Sequence, residues 1–137
     1  MKAQGLILYA LLLNHVLLSQ DLDSLSRQLT GTWNACISLE LSDNKPCKNP
    51  FTTYQFAGNG TYRQNREVIS EGKKQSYVHG KWKLEGNMFT IEENDTRNYK
   101  AEPFKNPMVW VNKNRFYIYG TEGPGGPMVY TYFDRVE

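Results

Sequence analysis

From Thr32 the chain alternates. Trp33, Ala35, Ile37 and Leu39 are separated by Thr32, Asn34, Cys36 and Ser38. An apolar residue at every second position marks a strand with one buried face. The first strand is therefore expected over 32–39. Further short strands are expected over 51–56, 61–69, 75–84, 88–93, 98–104, 108–111, 115–119 and 128–136, eight or nine in all. The fourth puts Val78, Gly80, Trp82 and Leu84 on one face, and the fifth does the same with Phe89 and Ile91. Turn chemistry separates them: Ala57-Gly58-Asn59-Gly60, Ser70-Glu71-Gly72-Lys73, Glu85-Gly86-Asn87, Asn94-Asp95-Thr96 and Asn112-Lys113-Asn114. Ahead of the strands the period is helical. Leu22, Leu25 and Leu29 fall at i, i+3 and i+7, and Asp21 and Asp23 sit where a helix dipole favours them. That short helix over 21–29 is expected to lie as a lid on one end of the sheet.

Short strands joined by tight turns, with no helical period between them, make an all-β fold of antiparallel hairpins. A meander, a barrel and a sandwich all fit this pattern. Closure into a barrel has the advantage of removing exposed edges.

Composition narrows the compartment more than the activity. The chain has 137 residues, enough for one domain. Sixteen basic and fourteen acidic residues are too evenly balanced for a nucleic-acid partner. Residues 1–20 read as a signal peptide: Lys2, then the apolar runs of residues 6–13 and 16–18, then Ser19 at a plausible cleavage point. The apolar run is short for a membrane span, so no span is expected in the mature chain. The domain is then 21–137, secreted or periplasmic. Cys36 and Cys47, the only cysteines, are expected to form one disulfide in that compartment.

The residues 29–136 resemble the bacterial lipocalin-like domains, small calycin-type relatives of the lipocalins. The resemblance rests on Gly31-Thr32-Trp33 at the first strand and on Phe56-Ala57-Gly58-Asn59-Gly60-Thr61-Tyr62, similar to the family's F-x-x-D-G-T-Y hairpin. It rests also on Gly80-Lys81-Trp82-Lys83-Leu84-Glu85-Gly86-Asn87 and on Arg135 near the end. Asn59 stands where the family often has Asp, and the T-D-Y motif of full lipocalins is not evident. The resemblance implies a single up-and-down antiparallel β-barrel of about eight strands with a short N-terminal helix. It also implies that Gly31, Trp33 and Arg135 are structural, with the guanidinium packed on the indole at one end of the barrel.

Two functions of different classes follow. The first is binding of a small apolar or amphipathic ligand inside the barrel, among Tyr62, Trp82 and Phe89, with Arg66 meeting an acidic head group. Tyr62, Gln64 and Arg66 share a face of their strand, and a buried Arg requires an anion: Glu93, Asp134 or a ligand carboxylate. The alternative is a cell-envelope protein-interaction or inhibitor module whose barrel is filled by its own aromatics. No protein partner is indicated. No catalytic residue is expected, because no nucleophile motif or paired acid and base is spelled out. His79 reads as a surface residue. Two cysteines without histidines make no metal site, and no cofactor is implied.

Overall fold

The computed structural model describes residues 24–42, 44–70, 72–94 and 102–137. The signal peptide and Leu22 lie outside the described residues, as does most of the strand expected over 98–104. A helix occupies residues 24–29. Eight strands follow: β1 Gly31–Ser38, β2 Thr52–Phe56, β3 Thr61–Ser70, β4 Lys73–Glu85, β5 Met88–Glu93, β6 Phe104–Asn112, β7 Arg115–Thr121 and β8 Met128–Arg135. Each pairs antiparallel with its neighbour in sequence, and β8 pairs back to β1, closing the barrel. This is the up-and-down architecture that the resemblance implied.

One element differs from expectation. Phe104 and the stretch 108–111, read as parts of two strands, belong to the single strand β6. The strand runs through Pro107, which has no N–H to give to a ladder. In the barrel it pairs with Met88 at the end of the β5–β6 ladder, and the β6–β7 pairing begins after it, at Met108.

The alternation decides which side chains enter the barrel, and the register decides at what height. Near the helix the interior is solid. Trp33, Phe89, Phe116, Phe133 and Leu29 are the largest fully buried side chains. Phe116 stacks on Phe133 with ring centroids 4.5 Å apart, and Trp33 meets Phe116 edge-on at 4.8 Å. Arg135 lies over the Trp33 ring at 4.2 Å. Its guanidinium donates to the Thr30 carbonyl at 3.0 Å, to the Lys113 carbonyl at 3.2 Å and to the Gln28 carbonyl. The Trp33 indole N–H donates to the Leu29 carbonyl at 2.8 Å. Helix, first strand and last strand are thus tied together at one end. Gly31 makes this possible: its φ of 137° suits glycine, and a Cβ there would sit 2.8 Å from the Arg135 guanidinium.

Cys36 and Cys47 are bonded. The loop they close lies on the outside of β8, where the Cys47 amide donates to the Asp134 carboxylate at 2.8 Å and the Ser42 amide to the Tyr132 hydroxyl at 2.6 Å.

Candidate functional site

The end of the barrel away from the helix is open. Ladder register sets the side chains that meet there. Tyr54 is opposite Gln64, Gln64 opposite Val78, Tyr62 opposite Gly80, and Gly80 opposite Glu93. Across the barrel, Thr131 of β8 is flanked by Ile37 and Ile118. Between these walls lies a cavity of about 340 Å³. Its floor and inner wall carry Tyr54, Tyr62, Gln64 and Phe133, and its mouth carries Ile37, Phe51, Arg66, Glu93 and Phe104. The volume falls in the range that small-molecule sites occupy, roughly 300–1,000 Å³.

Gly80 makes room for part of this wall. A Cβ at that position would stand 2.5 Å from Cε1 of Tyr62, so the Tyr62 ring rests directly on the glycine backbone. Gln64 and Tyr62 are almost fully buried, at 6% and 4% exposure. Gln64, Tyr54 and Tyr62 bring an amide and two hydroxyls to the cavity lining, and none of these polar atoms is both cut off from solvent and without a partner. A wall that offers these donors and acceptors to a hollow is suited to a polar group entering from outside.

The charged groups lining the cavity are one cation, Arg66, and two carboxylates, Glu93 and the exposed Glu102. Arg66 forms an ion pair with Glu93. The pair is asymmetric in exposure: the Arg66 side chain is 47% exposed and the Glu93 side chain 18%. A shift of register between Asn65 and Val68 marks a bulge in β3 at this point. Bulges re-aim side chains, and here the simple alternation read from sequence ends. The phenols respond to their surroundings. Burial pushes the Tyr54 hydroxyl up to about 12, with Arg66 opposing and Glu93 adding to the rise. Burial raises Tyr62 as well, helped by Tyr54 and Glu93. Both are held as neutral donors.

The residues singled out in the sequence divide in two. Tyr62 and Arg66 line the cavity. Trp82 and Phe89 do not: they belong to the solid core below it, with Phe56 between them at 6.0 Å and 5.6 Å. The Trp82 indole is occupied with the Ala57 carbonyl at 2.9 Å. The expected partners of Arg66 also separate, since Asp134 lies by Arg115 at 3.3 Å on the outside. His79 is exposed. Gln64 was legible as a neighbour of Tyr62 and Arg66, but Ile118 and Thr131 were not singled out. Strand alternation places both inside, yet gives no height along the barrel.

Among the described residues no helix is long and apolar enough to cross a membrane, and no cluster of side chains suits a metal ion. No family model and no curated protein matches the chain. Among solved structures, it is similar to a lipocalin-like protein from Bacteroides uniformis ATCC 8492. The two are 15% identical, the match covers 80% of this chain and 99% of that one, and the TM-score is 0.48.

Proposed function

We propose that the protein is an exported binder of a small amphipathic molecule, held in the open half of the barrel. The observation that carries this reading is the cavity of about 340 Å³ with the polar side chains of Tyr54, Tyr62 and Gln64 in its lining. The apolar mouth supplies the other half of an amphipathic site. Ile37 and Phe104 are 60% and 51% exposed although they sit at the barrel opening. Covering such side chains with a ligand tail is favourable by about 25 cal/mol per Å² before ordering costs. The disulfide supports an oxidising compartment, secreted or periplasmic. The reading is one of binding, not catalysis, and includes neither nucleic acid nor cofactor.

The interaction module is the second reading. It draws on the solid lower core and on the exposed apolar side chains Leu39, Leu41 and Phe51. Native mass spectrometry of the protein purified from its own source separates the two. A small-molecule adduct released by mild activation is the expected result. A bare chain, or one retained with a second protein, would favour the interaction module.

A further inference from the structure

The charge at the cavity mouth limits what the head of a ligand can be. Arg66 was expected to greet an acid. It is instead already paired with Glu93, whose side chain is the more buried of the two. A ligand carboxylate that took Arg66 for itself would strand Glu93 without its cation in a part-buried place. Glu93, the more buried partner, would then lose the cation that compensates it. A carboxylate that left the pair intact would instead lie near the Glu93 anion and be repelled. Either way an acidic head is disfavoured.

The neighbouring groups point the same way. The Gln64 amide offers two N–H donors and a carbonyl acceptor, and each phenol can donate and accept. Gln64 and Tyr62 are more than nine-tenths buried, and both line the cavity. Such a set matches a head that both gives and takes hydrogen bonds and carries no net charge. The route for the tail is also visible. A second hollow of about 360 Å³ shares Ile37, Phe104, Ile118 and Thr131 with the first and continues past Leu39 and Val129.

Resting on the binding reading above, we infer that the cavity selects amphiphiles with an uncharged hydroxyl-bearing head and discriminates against fatty acids of the same chain length. Glu93 is the residue that sets this choice, by holding Arg66. The head sits against Tyr54, Tyr62 and Gln64, and the tail leaves along Ile37 and Phe104.

The test compares 1-monolauroylglycerol with laurate by isothermal titration at neutral pH, below the concentration at which either aggregates. The wild-type protein should bind the glycerol ester at least tenfold more tightly. Glu93→Gln removes the ion-pair partner of Arg66 and should bring the two ligands to within about threefold by tightening laurate binding. Thermal unfolding shows whether this variant is folded, and the wild-type comparison stands without it. Laurate binding to the wild type as tightly as the ester would overturn the inference while leaving the binding site in place. An unchanged preference in a folded Glu93→Gln protein would overturn the role of Glu93. Binding of neither ligand would count against the inference and, unlike the other outcomes, against the binding reading too.

Discussion

Single residues carry the two ends of the barrel. At the closed end Arg135 combines a cation–π contact with hydrogen bonds to three carbonyls, two at the end of the helix and one in the β6–β7 turn. Arg135→Ala removes the stacking and leaves those carbonyls to find water. The expected loss is roughly 2–4 kcal/mol, seen as a lower urea midpoint. Lys73→Ala, at an exposed site, should stay within about 0.5 kcal/mol. Equal midpoints would remove Arg135 from the closure. At the open end the phenols give a pH signature. Their acid–base equilibria are shifted upward by folding, so the folded state holds protons that the unfolded state gives up. This contribution to stability is whole below the ordinary value of 10.0 and is lost as pH rises toward about 12, the folded value of Tyr54. Alkaline titration followed by tyrosinate absorbance should show late-ionising phenols, and Tyr54→Phe should remove part of that late phase. Ionisation of every tyrosine near pH 10 in the folded protein would contradict the buried, neutral assignment.

Among the elements, the loop between β1 and β2 depends on the disulfide most directly. Cys36 lies in β1, and Cys47 is held to β8 through Asp134. Loop closure of this length contributes about 2–3 kcal/mol. Labelling of the denatured, unreduced protein should find no free thiol, and Cys36→Ser with Cys47→Ser should unfold at lower denaturant. Two reactive thiols in protein from its native source would argue against an oxidising compartment. Most strands could be read from sequence, because period two and turn residues are local signals: β2 and β5 fall within a residue of expectation. β6 could not, since Pro107 looks like a stop and only its position in the ladders shows that it is none. The bulge in β3 was equally invisible, because it answers to β4 across the ladder and not to its own residues.

For the molecule as a whole, the division into a packed half and an open half is what turns a fold into a site. Aromatic content alone was read two ways, as filling and as cavity lining, and the barrel uses both. Trp82 and Phe89 went to filling, and Tyr62 went to the wall. Nothing in period or composition tells these apart, because height in a barrel is set by stagger between strands. Thr131 offers the most direct check on the open half. It lies between Ile37 and Ile118 and lines both hollows. Thr131→Trp should place an indole in the ligand's space, with folding verified by an unchanged far-ultraviolet spectrum and a cooperative thermal transition. Titrated with 1-monolauroylglycerol, the wild-type protein should bind and this variant should bind at least tenfold more weakly. Equal affinity in the two proteins would place the ligand outside the barrel and contradict the cavity as its site.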